Sequence, residues 1–399
     1  MRVVLLLVAF LAFGCTAAPV ASSSLTPLEQ ESPYRDLDTL KEGTILHVPT
    51  GIEITQAQLL YFLGNVRIVY IGETHTNLTH HQVQLDIIKS LEEHFPGKIA
   101  VGMEMFDQPS QPALDRWSRG EMDEKSFVKT WYENWDQDYK YYKDILHFIR
   151  EKRIPLRALN VSDEQVHELT QKGLEGLASA VREGLPELDS KDPYHRQSME
   201  AIWGGHAHGK KGFDRFYQTM LLWDETMAQN IVHYLSSPEG QGKKIIVLAG
   251  GFHVGYGFGI PRRAFRRLPE PYAIVMPHTS TIPKGRECLL MDVTPPKLPL
   301  YLADFVWSVG YEDLKEKEVR LGIVIEKAER GVAVKSVAPN SVAAKAGVLV
   351  GDVIASFGDE PTTDPFDLTY LVKQKQPGDR STLKILRGNQ ALEFEVLFK

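Results

Sequence analysis

The sequence predicts an α/β protein: a mainly parallel sheet flanked by helices, an added helical subdomain, and a small β-rich domain at the C-terminal end. Three observations carry this. Five short apolar runs, 67–72, 98–105, 154–160, 244–251 and 272–277, alternate with longer helical patterns. Near-continuous runs of that length, spaced by helices, belong to parallel strands covered on both faces. The chain has 399 residues, 43% of them hydrophobic, enough to bury two cores. From about Leu321 the pattern changes to short alternating strands punctuated by turn glycines. A net charge of −7 without a long basic run argues against nucleic acid as a partner.

The first residues read as a targeting signal. Met1-Arg2 precede an apolar stretch from Val3 to Phe13, and Gly14-Cys15 follow. A bilayer span needs roughly 20 apolar residues, so this stretch suits the core of a secretory signal. The "LAFGC" segment resembles a bacterial lipobox, which makes Cys15 the lipidated first residue of the mature chain; an ordinary cleaved signal with an incidental cysteine is the alternative. The expected boundaries are a signal peptide over 1–14 and a lipidated flexible tether over 15–40, rich in Ser and Pro. Thr16 in place of aspartate favours outer-membrane delivery in a Gram-negative cell, giving a lipid-anchored protein of the cell envelope facing the periplasm. With Cys15 lipidated, Cys288 is the one cysteine left. That excludes an internal disulfide and a thiolate metal cluster.

The strand ends carry the chemistry. The first run ends in Glu73 and His75, the second in Glu104, the third in Asn160, the fourth in His253 and the fifth in His278. In open parallel sheets, ligands bind beyond the carboxyl ends of the strands. His80 and His81 fall in the first turn of the next helix, where at most one is expected to point inward. Between Met105 and Arg153, Trp131, Trp135, Tyr139 and Tyr142 share one face of a predicted helix. Such a face usually packs into a core; the alternative is a flat apolar wall for a planar ligand. A polar helical stretch over 162–203 leads to a Gly-rich loop, 204–213, with two histidines. The helix 214–235 places Tyr217 and Asp224 toward the same edge.

"GETH" (72–75) and "GGFH" (250–253) both have the form G-x-x-H. Glycine permits a close backbone approach, and an imidazole just past it can aim a nitrogen into the crevice. With Glu73 and Glu104 added, His75 and His253 resemble a two-histidine, one-carboxylate site for a divalent metal ion. There, Glu104 completes the ligand set and Glu73 serves as base in a hydrolase. A capping or hydrogen-bonded loop role is the bland reading of each histidine taken singly. A third reading has the larger domain as a scaffold whose site has decayed.

The C-terminal region resembles a bacterial PDZ domain, on "LGI" at 321–323, "APNSVAAKAGVLVGDVIASFGDEP" at 338–361 and "PGD" at 377–379. The resemblance places a PDZ domain over 316–399. It implies capture of a protein C-terminus or extended peptide as an added strand, the backbone amides around Leu321, Gly322 and Ile323 holding the carboxylate, with Phe366 and Leu371 shaping the pocket.

The larger region, 41–312, is similar to the ChaN family within the wider Tiki, TraB and erythromycin-esterase-like group. The carrying motifs are "YIGETHTNLTHHQVQLDIIKSL", "GMEMFDQPSQPALDRW", "ALNV", "QTMLLWDETMAQNIVHYL", "LAGGFHVGYGFGIPRR" and "ADFVWSVG". That family resemblance implies a membrane-anchored lipoprotein binding haem or iron, with haem ligated by a tyrosine and shared across a homodimer. Tyr217 is the candidate ligand, with Asn160 and Asp224 beside it. More distant relatives imply metal-dependent hydrolysis, so the metallohydrolase stays open as the alternative. The histidine-bearing loop and the fused PDZ domain depart from the simplest family pattern.

Overall fold

A computed structural model describes residues 33–204, 212–282, 284, 298–314 and 319–398. Cys15, Cys288 and the two histidines of the Gly-rich loop lie outside the described residues. The chain forms two compact units, the larger running to Asp123 and over Thr130–Asp313, the smaller taking Glu124–Lys129 and the chain from Leu314.

The larger unit is built on eight strands: β1 (Ile45–His47), β2 (Ile52–Ile54), β3 (Ile68–Glu73), β4 (Ile99–Asp107), β5 (Leu156–Asn160), β6 (Lys244–Gly250), β7 (Tyr272–His278) and β8 (Phe305–Ser308). Their order across the sheet is β2-β1-β8-β7-β3-β6-β4-β5. The five expected strands are all present, and β8, β7, β3, β6, β4 and β5 run parallel. The short β1 and β2 add an antiparallel hairpin at one side. β3 is buried along its whole length and β6 along all but its first residue. This is why both read as unbroken apolar runs. The core packs Tyr70, Val247 and Ala249 of the sheet against Met227, Ala228 and Ile231 of the helix Phe213–Ser236. Leu40, at the end of the expected tether, is buried in that same core.

The expected aromatic helix breaks. It spans Glu124–Asn134, and after Trp135 the chain turns until Asp138 caps a short 3₁₀ turn, Tyr139–Tyr141. Trp131, Tyr139 and Tyr142 still meet in the core, whereas Trp135 sits outside the helix and is only half-buried. The stretch 162–203 divides into Asp163–Gly176, Ser179–Glu183 and Pro193–Gly204. No helix among the described residues is long and apolar enough to cross a membrane.

The smaller unit is an antiparallel sheet of β9 (Ile323–Ala328), β10 (Gly331–Val337), β11 (Val353–Phe357), β12 (Glu360–Pro361), β13 (Arg380–Arg387) and β14 (Gln390–Leu397). The order is β14-β13-β11-β10-β9, with β12 beside β11, so β9 is an edge strand. Leu321 is buried in its core. Gly322 has φ +76°, and a Cβ there would lie 2.4 Å from the Ser341 Cβ, so the turn before β9 demands glycine.

Candidate functional site

β3 delivers Glu73 as its last residue, with a fully buried side chain. A carboxylate without water must find donors within the protein. Glu73 Oε1 accepts from His75 Nδ1 at 2.7 Å and from the Tyr142 hydroxyl. Gln84 Nε2 donates to Oε2 at 2.6 Å, and His81 Nδ1 lies 3.5 Å from that oxygen. His81 Nε2 donates to the His75 carbonyl at 3.1 Å. His75 is therefore held by ring and backbone, while a third of its side chain (33%) stays exposed. Its ring meets Trp135 edge-on at 5.1 Å. The Trp135 indole N–H is buried and has no hydrogen-bond partner among the described residues.

β4 supplies Glu104. Its pairing with β6 runs to Met103–Leu248, and its register with β5 shifts between Met103 and Asp107. Such an irregularity re-aims a side chain at a sheet rim. Glu104 Oε2 accepts the Gly250 N–H at 2.6 Å, and Oε1 lies 3.4 Å from His253 Nε2. A Cβ at Gly250 would stand 3.1 Å from His75 Cε1, 3.2 Å from His75 Nε2 and 3.6 Å from Glu104 Oε2. Gly250 thus lets His75 and Glu104 close around one point of backbone.

β6 leads into the short helix Gly251–Val254, which carries His253. Its Nδ1 pairs with Asp224 Oδ1 at 2.7 Å, from the helix Phe213–Ser236. The strand-end groups expected to converge do so: Glu73, His75, Glu104 and His253 surround the carboxyl ends of β3, β4 and β6. Asp224 joins them fully buried rather than solvated.

Charge holds the cluster together. Burial pushes the Glu73 carboxyl up, but the charge of His81 and the hydrogen bond from His75 outweigh it and hold the group well below the usual carboxylate range. Burial also opposes ionisation of Asp224 and Glu104, and His253 overcomes it in both. The reciprocal effect raises His253, where burial is outweighed by Glu104 and Asp224. His75 is raised in the same sense by Glu73 after burial is overcome. His80 differs. Burial, aided by the charge of His81, drops it to about 3, so it is neutral, accepting from the Thr74 N–H at 2.9 Å and meeting Thr279 Oγ1 at 3.0 Å.

Several expectations change. Both His80 and His81 are buried, not at most one. His278 pairs with Asp38 at 3.0 Å. Asn160 is a brace: its Nδ2 donates to the Glu104 carbonyl at 3.1 Å and its Oδ1 accepts the next backbone N–H. Tyr217 is buried with its hydroxyl 3.3 Å from His195 Nδ1, which removes it as a ligand open to the crevice. Among the described residues, no group of three or more His, Cys, Asp or Glu is arranged to hold a metal ion. Sequence reasoning missed Tyr142 and Gln84 as partners of Glu73, and His195 altogether.

A family model described as haem-binding uptake, Tiki superfamily, ChaN, matches residues 59–264, just over half of the chain. The chain belongs to the ChaN family. The solved structure titled "Cofacial heme binding to ChaN of Campylobacter jejuni" is similar with a TM-score of 0.52 and 18% identity, over 66% of this chain and 95% of that one; it shares the ChaN fold. A PDZ domain matches at 319–397. A probable periplasmic serine endoprotease, DegP-like, of Brucella suis is 38% identical over 82 residues, 21% of this chain and 15% of that protein. The periplasmic pH-dependent serine endoprotease DegQ of Escherichia coli is 38% identical over 68 residues, 17% of this chain and 15% of that one. The chain thus spans about 15% of the length of these curated relatives. The ChaN-like unit therefore holds the strand-end cluster, and the PDZ unit is a separate module.

Proposed function

We propose that the ChaN-like unit binds haem at the carboxyl edge of its sheet, with His75 presenting Nε2 to the iron. One observation carries this: an imidazole anchored through Nδ1 to a buried carboxylate, one-third exposed, beside a tryptophan whose indole N–H lacks a partner. A carboxylate on Nδ1 fixes the ring and raises the basicity of Nε2 toward iron. To hold iron, His75 would have to give up the proton on Nε2. The unpaired indole N–H suits a carboxylate acceptor such as a haem propionate. The residues fit imidazole ligation better than the tyrosine ligation implied by the family, because Tyr142 and Tyr217 are buried and their hydroxyls are taken. Bound haem supplies the iron centre and a flat apolar ring; the chain binds and orients it. Titration of the full chain with micromolar haem is expected to give a saturable Soret shift, and His75→Ala to weaken it at least tenfold. A wild-type chain without a saturable shift ends the proposal.

The proposal extends to the rest of the chain. Lipid on Cys15 holds the protein to the cell envelope, facing the periplasm, and the PDZ unit recruits a partner's C-terminus along the open edge of β9. Loss of labelled fatty acid in Cys15→Ser tests the first. Binding of peptides with a free terminal carboxylate but not their amidated counterparts tests the second.

A further inference from the structure

The helix Pro193–Gly204 carries His195, which belongs to no strand end and has no exposed surface. Its Nδ1 faces the Tyr217 hydroxyl and Arg263 Nη2, each at 3.3 Å. A guanidinium can only donate, so Nδ1 accepts and the ring proton sits on Nε2. That proton points at Asp224 Oδ2, 3.1 Å away. The other Asp224 oxygen meets His253 Nδ1 at 2.7 Å. One buried carboxylate thus lies between two imidazoles, each taking one oxygen.

Among the described residues, no other side chain hydrogen-bonds to this carboxylate. It has no exposure to water, and Gly259 closes the remaining side. A Cβ there would fall 2.2 Å from the His253 carbonyl and 3.1 Å from Asp224 Oδ1. An apolar residue at the His195 position would strand Asp224 Oδ2 and would also take the Nδ1 acceptor from the Tyr217 hydroxyl and Arg263 Nη2. His253 is held at both ring nitrogens, Nδ1 by Asp224 at 2.7 Å and Nε2 by Glu104 at 3.4 Å, so a shift of the Asp224 carboxylate moves its ring.

We infer that His195 is a positioning residue: through Asp224 it fixes the place of the His253 ring, and so delivers His253 Nε2 to Glu104 at the crevice. Only the second readout below rests on the haem reading.

The test uses the full chain with 15N-labelled histidine. The wild type is expected to show a slowly exchanging His253 Nδ1–H signal, identified by its absence in His253→Gln. His195→Phe should abolish that signal and lower haem affinity several-fold, because His253 sets Glu104, which stands beside His75 at Gly250. His195→Gln, whose amide can still donate to Asp224, should restore both. If phenylalanine prevents folding, His195→Asn takes its place, polar but too short to reach Oδ2. It should lose the signal that Gln keeps. A His253 signal and a haem affinity unchanged in the Phe variant, or Asn and Gln variants that behave alike, overturn the inference. A wild type that binds no haem sinks the proposed function, while the N–H signal still decides the role of His195.

Discussion

Two carboxylate–histidine pairs flank the crevice, with the same 2.7 Å contact at Nδ1 and opposite construction. Glu73 and His75 come from one strand end, two residues apart. Asp224 and His253 come from different elements, 29 residues apart. The near pair keeps a third of its imidazole side chain in solvent, the far pair only 9%. Glu73 has other donors in Tyr142 and Gln84, while Asp224 depends on two imidazoles alone among the described residues. On the proposed function, the near pair meets the ligand and the far pair holds the fold around it.

Substitutions should separate these roles. His253→Ala leaves Asp224 and Glu104 buried with unbalanced charge, and urea unfolding should show a loss of about 3–5 kcal/mol. His75→Ala leaves Glu73 with its remaining donors and should cost about 1 kcal/mol by the same measurement. Equal losses would erase the distinction. Haem titration should reverse the ranking: Glu73→Gln, which unseats the His75 ring, is expected to weaken binding about 10–100-fold. A Glu73→Gln protein with wild-type affinity would show that the near pair is structural too.

Acid sharpens the comparison next. His80 stays neutral in the fold down to about 3 but gains a proton below its ordinary 6.5 when unfolded. Its burial therefore costs nothing above pH 6.5, and stability falls as pH drops from there toward 3. At about pH 5.5, a unit below the ordinary histidine value of 6.5 and a unit above the ordinary glutamate value of 4.5, the raised histidines are largely protonated in both states and the lowered carboxylates largely ionised in both. Thermal unfolding around that pH should therefore fall with pH in the wild type and fall less in His80→Phe. An identical slope would remove His80 as the cause. The smallest effect belongs to Gly250→Ala, whose methyl must push the His75 ring by a few tenths of an ångström. Haem affinity should drop a few-fold with unfolding unchanged; no drop would mean that the ring has slack.

The near pair was legible because a motif two residues long survives on one strand end. The parallel strands were legible because burial on both faces writes unbroken apolar runs. β1, β2 and β8, three or four residues each, are too short to show periodicity. The far pair was half legible: His253 follows a strand, but Asp224 sits among buried and half-buried helix positions with nothing to mark its partner. His195 gave no signal, since a single histidine in a polar helix looks like a solvated one. The aromatic helix was over-read because spacing continued past Asn134, where the backbone did not.

The rim of β9 in the PDZ unit has its own logic. Val324, Glu326 and Lys327 all face water there, with Val324 60% exposed. A row of unpaired amides invites any extended polypeptide, including a sibling molecule. Charges of both signs along such a rim discourage long, flat sibling pairings while a short guest held by its end can still be tolerated. The protein can thus keep a sticky border without gluing itself into fibres.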